Sequence, residues 1–279
     1  MGTTLQQHAR SIRRGIISAV AAASSGHPGG SLSAVEIVTT LFFQEMNIYP
    51  EQPNWPHRDR FVLCKGHAAP LLYAALAKRG FFPWDELTTL RQLGARLQGH
   101  PDMRKIPGVD MSTGSLGQGL STALGMALAL RLQQKDSYVY ALLGDGELQE
   151  GQVWEAAMAA GHYKVNHLIG IIDNNGLQID GPISEVLNPM PLVEKWEAFG
   201  WNVIEVDGHD IDALSAAFRS ARNEQTKPTM IIASTVKGKG VSFMENRAEW
   251  HGSAPSAEQT AAALQELQDP ENEGGEAHV

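Results

Sequence analysis

The segment Leu142-Leu143-Gly144-Asp145-Gly146 is an apolar run that ends in an acid between two glycines. A second apolar run, Ile171-Ile172-Asp173-Asn174-Asn175, follows it after an intervening stretch of helical character that starts at about Gln152. A buried strand, a crossover helix and a second buried strand form a βαβ unit with parallel strands. The pattern therefore predicts an α/β fold, a three-layer open parallel sheet with helices on both faces.

The polar residues that follow these two strands are candidates for a metal site. In open α/β sheets ligands bind beyond the carboxyl ends of the strands, so Asp145 and Asn175 are expected to lie close together. Their oxygens, with the carbonyl of Leu177 as a third ligand, suit Mg²⁺, which keeps open positions for phosphate oxygens. Gly144 and Gly146 allow backbone N–H groups to approach an anion. We interpret the segment as a Mg²⁺–diphosphate clamp, although Gly-Asp-Gly alone is often only a turn.

Composition bounds the possibilities further. The chain has 279 residues, 43% of them hydrophobic and 19% charged, as in an ordinary globular protein. Its net charge of −9 argues against nucleic acid as a main partner. One cysteine, Cys64, excludes an internal disulfide and fits a reducing, cytoplasmic location. No apolar run approaches the length of about 18 residues that a membrane span needs.

The spacing of apolar residues and the positions of capping and loop-forming residues predict the secondary-structure elements. Residues 4–23 predict an amphipathic helix rather than a twin-arginine export signal, and residues 24–33 a Gly-rich loop. A long helix is expected from Gly114 to Gln134, and Ser256 is expected to cap a last helix. We expect one domain over residues 1–255, followed by a terminal helix and an acidic flexible tail over 256–279.

The motifs resemble one family in particular. GDG followed by NN is the thiamine-diphosphate motif, and the GDGELQEGQVWEA segment that begins at Gly144 is similar to its transketolase version. Further transketolase-like motifs occur in family order between residues 25 and 252: Ser25-Gly26-His27-Pro28-Gly29, Lys65-Gly66-His67-Ala68, Gly99-His100-Pro101, Gly114-Ser115-Leu116-Gly117 and Trp250-His251-Gly252. The resemblance covers the N-terminal, diphosphate-binding third of a one-piece transketolase.

The resemblance implies a reaction and roles for its histidines. It implies transfer of a two-carbon ketol unit from a ketose phosphate to an aldose, with thiamine diphosphate and Mg²⁺ as cofactors. His27, His100 and His251 would line the sugar channel and donate hydrogen bonds to the donor, as catalytic residues. His67, together with His251, would contact the cofactor diphosphate. Imidazole suits this work because it donates or accepts a proton near neutral pH.

Other residues are assigned to the cofactor by the same resemblance. The backbone of Gly114, Ser115 and Leu116 would hold thiamine diphosphate near its rings. Glu150 would lie near the interface between two cofactors, or it is only an acid favoured at a helix start. Lys237 and its neighbour Lys239 depart from the form usual in one-piece transketolases, and they either neutralise the diphosphate or are solvated loop charges.

A partner polypeptide is also implied. In this family a Glu that activates the cofactor lies in a following pyrimidine-binding domain, and the segment after Gly252 is too short for that domain. We therefore expect one subunit of a split transketolase, in an α2β2 assembly with a C-terminal subunit that acts on sugar phosphates such as pentose-phosphate intermediates. Alternatives are half of a 1-deoxyxylulose-phosphate synthase-like enzyme, a 2-oxo acid dehydrogenase α subunit, or a catalytically silent homologue.

Overall fold

The centre of the molecule is a five-stranded parallel sheet. A computed structural model describes residues 3–268, and its sheet has the strand order β1-β2-β3-β7-β6. A two-stranded antiparallel ribbon, β4-β5, lies outside it. The strands are β1 (Arg60–Leu63), β2 (Val139–Gly144), β3 (Leu168–Asn174), β4 (Leu177–Gln178), β5 (Gly181–Pro182), β6 (Asn202–Asp207) and β7 (Thr229–Ser234).

The βαβ unit predicted from the two apolar runs is confirmed. Strands β2 and β3 pair in parallel with Gly144 opposite Asp173, and the helix α6 (Gly151–His162) joins them. Both strands are almost continuously buried, because helices cover both faces of the sheet. Because these strands are parallel, the carboxyl ends of β1, β2, β3 and β7 lie along one edge of the sheet. The residues of the predicted motifs come directly after these strand ends in the chain.

Two apolar cores flank the sheet and make the three layers. One contains Ile12 and Ile16 of the first helix with Leu71 and Phe218, and the other contains Leu120, Val153 and Trp196. The remaining α-helices of the described residues are α1 (Leu5–Ala23), α2 (Pro28–Ser33), α3 (Val35–Thr40), α4 (Ala69–Arg79), α5 (Gln118–Leu132), α7 (Ile183–Val186), α8 (Leu192–Ala198), α9 (Ile211–Asn223) and α10 (Ala257–Glu266).

The helix ends follow capping chemistry where the sequence signals it. Thr4 and Ser256 each form a capping box with a glutamine three residues later, which starts α1 and α10, and the cap at Ser256 is the one expected. No helix within residues 3–268 is long and apolar enough to cross a membrane. The flexible tail expected at the C-terminus lies largely outside the described residues.

Two sequence expectations about helix bounds were wrong. Residues 24–33 are not all loop, because Pro28 starts the short helix α2, where its fixed backbone angle suits the first turn. The long helix does not begin at Gly114 but at Gln118. Gly114 and Gly117 have φ values of 151° and 85°, outside the helical range, so the segment 114–117 forms a separate loop.

Candidate active site

The candidate site lies where four parallel strands end. Lys65 follows β1, Asp145 follows β2, Asn175 follows β3 and Thr235 follows β7. These residues come together because the strands are parallel and aligned, so that their carboxyl ends meet. The close approach of Asp145 and the Asn175 segment predicted from the sequence is confirmed, since the Gly176 N–H donates to the Asp145 carboxylate at 2.5 Å.

A buried carboxylate, Asp173, ties these strand ends together. It accepts hydrogen bonds from Lys65 Nζ at 2.5 Å, from Ser33 Oγ and Thr235 Oγ1 at 2.5 Å each, and from Asn175 Nδ2 at 3.0 Å. Burial alone would raise the pKa of Asp173, but the Lys65 ammonium and these donors hold it below its usual value. Since its amide nitrogen is bound to Asp173, Asn175 keeps its oxygen pointing away from that carboxylate.

The Asp145 carboxylate is held by backbone groups. Its oxygens accept hydrogen bonds from the N–H groups of Gly146 at 2.8 Å and Gly176 at 2.5 Å. The Gly144 N–H donates at 3.2 Å to Glu147. The N–H groups of Gly144 and Gly146 are therefore not free for an external anion, which corrects the sequence expectation: the chain's own carboxylates already accept from them.

Burial and the neighbouring Asp173 carboxylate raise the pKa of Asp145 to about 6. An anion that is this costly to keep charged would be stabilised by a cation beside it. The chain already places one cation nearby, because Lys237 Nζ donates at 3.1 Å to the Leu177 carbonyl. The three oxygen donors expected for Mg²⁺, those of Asp145, Asn175 and Leu177, thus fit a cation by their chemistry.

The donor set contains only one carboxylate. In residues 3–268 no group of three or more His, Cys, Asp or Glu side chains could hold a metal ion. A metal at Asp145 would therefore leave much of its charge for a further anionic ligand. That balance is typical of Mg²⁺ sites in which phosphate oxygens complete the coordination.

Three of the four motif histidines form one cluster. The ring centroids of His27, His67 and His251 lie 5.0 to 5.4 Å apart. Burial, with nearby cations as the next cause, lowers the pKa of His27 and of His251 to about 4 and that of His67 well below its usual value. The rings are therefore neutral near pH 7, and each can donate one N–H and accept one hydrogen bond.

Lys237 joins this cluster to the strand ends. Its Nζ lies 3.1 Å from His251 Nδ1 and the same distance from the Leu177 carbonyl. Burial and repulsion from Lys65 lower the pKa of Lys237 to about 8. Of the two lysines that the sequence left undecided, Lys237 is buried against the site, whereas Lys239 is partly exposed and pairs with Glu245.

The fourth histidine packs against the predicted cofactor loop. A Cβ on Gly114 would lie 2.9 Å from the His100 ring, so only glycine leaves room for this contact. Ser115 is exposed and Leu116 half-buried on the same loop. The Gly117 N–H donates at 2.9 Å to Glu147, which therefore holds this loop against the end of β2.

A cleft of about 340 Å³ opens beside the loop, and Gly114, Ser115 and Thr113 help to line it. Among the described residues, the buried hydroxyl of Thr113 has no hydrogen-bond partner. Such an orphaned group fits a polar ligand at this place. Glu150 is exposed near the same loop, at the start of α6, and its β-carbon approaches Gly117.

Several residues of the site escaped the sequence analysis. Lys65 belongs to the Lys65-Gly66-His67-Ala68 motif but has no predicted role, and Asp173 is predicted only as part of the end of an apolar strand. The positive φ of Arg91, whose guanidinium reaches His27, leaves no signal in a single sequence. His209 is a further such residue, because its Nδ1 contacts Glu36 and its Nε2 accepts from the Val236 N–H. The contact between His209 and Glu36 cannot be predicted from one sequence, because the two residues are far apart in the chain and no fixed spacing links them.

Comparison with known proteins identifies the family to which this chain is similar. The family model described as "Transketolase, thiamine diphosphate binding domain" matches residues 4–273. A Clostridium sp. protein named 6-deoxy-6-sulfo-D-fructose transketolase subunit SqwG is 48% identical, over 95% of this chain and 96% of its own length. An apulose-4-phosphate transketolase subunit of Phocaeicola vulgatus is 41% identical, over 95% and 94% respectively.

One-piece relatives are covered only in part. Human transketolase is 45% identical over 94% of this chain, which spans 42% of the human protein. The solved transketolase from Leishmania mexicana superposes with a TM-score of 0.90 at 33% identity, and the chain again spans 42% of it. The matched part includes the sheet, the strand-end residues and the histidine cluster. The chain therefore belongs to the transketolase family and corresponds to the thiamine diphosphate-binding domain of that family.

Proposed function

We propose that this chain is the diphosphate-binding subunit of a two-polypeptide transketolase that transfers a two-carbon ketol unit. The observation that carries the proposal is the convergence of Asp145 and Asn175 with two buried lysines and three neutral histidines at one sheet edge. The relatives that match over nearly their full length are themselves named as transketolase subunits.

The cofactor would be held from several sides. Asp145, Asn175 and the carbonyl of Leu177 would bind Mg²⁺, while His67 and Lys237 would face the diphosphate. The Gly114–Leu116 loop would contact the rings of thiamine diphosphate, with the Thr113 hydroxyl as an available partner. Bound thiamine diphosphate supplies an electron sink for the two-carbon fragment.

His27, His100 and His251 would act on the sugar. Because their pKa values are lowered, each presents a neutral ring that can donate a hydrogen bond to a hydroxyl or carbonyl oxygen. The buried cations Lys65 and Lys237 help to keep the His251 ring neutral, since a third positive charge beside them is unfavourable. The chain would therefore orient the donor while the activating carboxylate comes from the partner.

Exposed apolar side chains on this chain support a partner polypeptide. Ile179 of the segment after β4 is 66% exposed, and Leu187 and Met190 of the same segment are also exposed. On the outer helices, Leu132 of α5 is 86% exposed and Met158 of α6 is 59% exposed. These surfaces would be covered by a second copy of this chain and by the C-terminal subunit, in an α2β2 assembly.

The substrate would be a ketose with an anionic terminal group, by default a pentose phosphate. Relatives are named for a sulfosugar and for apulose 4-phosphate, so the terminal group varies among similar chains. We propose that the partner reads this group, and that the chain itself holds the part common to all donors. Its buried single thiol, Cys64, fits a cytoplasmic enzyme.

The test is reconstitution. The chain is purified from its source with Mg²⁺ and thiamine diphosphate, and ketol transfer is measured alone and with the co-eluting polypeptide. Activity of the pair with little from the chain alone is expected. Full transfer by the chain alone would refute the need for a partner.

A variant series tests the cofactor site. Lys237→Met should weaken thiamine diphosphate binding in calorimetry at least about tenfold, as expected for the loss of one charged contact. The matched control Lys239→Met should leave that affinity almost unchanged. Asp145→Ala should abolish the dependence of binding on Mg²⁺. Unchanged binding in Asp145→Ala would refute the assignment of the metal ligands.

A further inference from the structure

Arg91 is held against His27 by an unusual local structure. Its backbone has a φ of 59°, a left-handed conformation that non-glycine residues rarely adopt. Its backbone N–H donates at 2.7 Å to the Leu97 carbonyl, which closes the loop that carries it. Strained backbone persists where the surrounding structure fixes it, and it concentrates at functional sites.

The space for the guanidinium is also prepared. A Cβ on Gly99 would lie 2.9 Å from the Cζ and Nη2 atoms of Arg91, so any larger residue at position 99 would displace the side chain. Nη1 donates to the Ser25 hydroxyl at 3.1 Å. Nη2 lies 3.5 Å from His27 Nδ1. Three separate features, the turn at Arg91, the glycine and the serine, thus aim one cation at one ring nitrogen.

The chemistry of this contact decides which nitrogen of His27 carries the proton. A guanidinium has five N–H donors, no acceptor, and stays protonated. The nitrogen that faces it, Nδ1, must therefore accept, and the proton of the neutral ring must be on Nε2. Within residues 3–268 Nε2 has no hydrogen-bond partner, and it lies near Gly252 in the Trp250-His251-Gly252 motif.

We propose that Arg91 is a positioning residue that fixes His27 as the Nε2–H tautomer and so directs an N–H donor toward the donor sugar. The direction of this donor rests on the proposed function, in which His27 contacts the sugar. The tautomer itself does not, because it follows from the chain's own contacts.

Other titratable groups also surround His27 and affect its protonation. The ring is faced by His67 and His251, and more distantly by the His100 ring and the Lys237 ammonium. Burial lowers the pKa of His27 to about 4, and Arg91 is the first of the charged neighbours that contribute. Arg91 therefore has two effects on the same ring: it opposes protonation, and it selects the tautomer.

Long-range proton–nitrogen NMR on the chain labelled with ¹⁵N-histidine tests the tautomer without any assay of activity. The His27 signals are identified as those missing from His27→Gln. In the wild type we expect the proton on Nε2. In Arg91→Met we expect a mixture of tautomers and a rise in the His27 titration midpoint of about one pH unit. Arg96→Met is the matched control, because Arg96 pairs with Glu86 instead.

A second measurement uses the complex with its partner. Arg91→Met should lower kcat at least about tenfold, since misdirected donors are costly, and Arg91→Lys should recover part of that loss. A wild-type proton on Nδ1, or the same tautomer and midpoint in Arg91→Met, would overturn the proposal. If the expected tautomer is found but the complex shows no ketol transfer, the proposed function is refuted. The role of Arg91 as the positioning residue of His27 would still stand in that case.

Discussion

The buried pair between Lys65 and Asp173 offers the sharpest test of how this site is held together. Lys65 is 1% exposed and Asp173 is fully buried, and their charged atoms are 2.5 Å apart. In Asp173→Asn the ammonium of Lys65 loses its counter-charge while it remains out of water. Removing one partner of such a pair costs about 3–5 kcal/mol. For a chain of this size each kcal/mol lowers Tm by roughly 2–4 °C.

The assay is a double-mutant cycle followed by thermal and denaturant unfolding. Asp173→Asn and Lys65→Met should each be strongly destabilised, with a fall in Tm of about 6–20 °C. The double variant leaves no unpaired charge, so it should be clearly more stable than the sum of the two losses predicts, with a coupling of roughly 2–3 kcal/mol. Glu249→Gln, which breaks the exposed pair with Arg247, is the control and should cost less than about 1 kcal/mol.

Two results would refute this reasoning. One is a loss below about 1 kcal/mol in either single variant, which would place the pair among weak surface contacts. The other is simple additivity in the double variant. Additive losses would mean that the hydrogen bonds of Asp173 to Ser33, Thr235 and Asn175 hold the strand ends together and the charge pair does not.

Three further predictions concern Glu36, Gly66 and Lys237. Burial would raise the pKa of Glu36, but His209 and Arg13 outweigh it and lower this pKa from 4.5 to about 2. The stabilisation that these two residues provide is complete above pH 4.5 and is lost as the pH falls toward 2. The free energy of unfolding of Glu36→Gln, measured with denaturant, should therefore lack about 3 kcal/mol of this pH dependence. Gly66→Ala should unfold at a lower temperature and bind the cofactor poorly, because its Cβ would lie 2.6 Å from the Gly114 backbone nitrogen. Lys237→Met should raise the Tm of the cofactor-free chain, since it removes a buried cation, and unchanged or lower stability would contradict this explanation.

The sheet and its edge could be predicted because their signals are local. The runs that became β2 and β3 are continuously apolar, and each ends in a turn with a polar residue. Parallel pairing then places Asp145 and Asn175 at one edge without further information. Ser256 likewise marked a helix start, because its capping box lies within four residues.

The support behind the site could not be predicted, because its contacts join distant parts of the chain. Ser33 and Asp173 are 140 positions apart, and His209 and Glu36 are 173 apart. A serine in a Gly-rich segment and a histidine in a turn are ordinary in isolation. Similarly, nothing in one sequence shows that the N–H groups of Gly144 and Gly146 are taken by Glu147 and Asp145.

These supporting contacts give the site a charge that the chain alone does not balance. Asp173 compensates Lys65, but in the described part of the chain Lys237 has only His251 and a carbonyl as neighbours within hydrogen-bond distance. Burial and this positive charge keep the neighbouring rings neutral. A diphosphate would neutralise Lys237 in a place from which water is largely excluded, where the interaction between charges is strong. The same buried cation that costs stability in the free chain would thus favour both cofactor binding and a neutral His251, which can still donate a hydrogen bond.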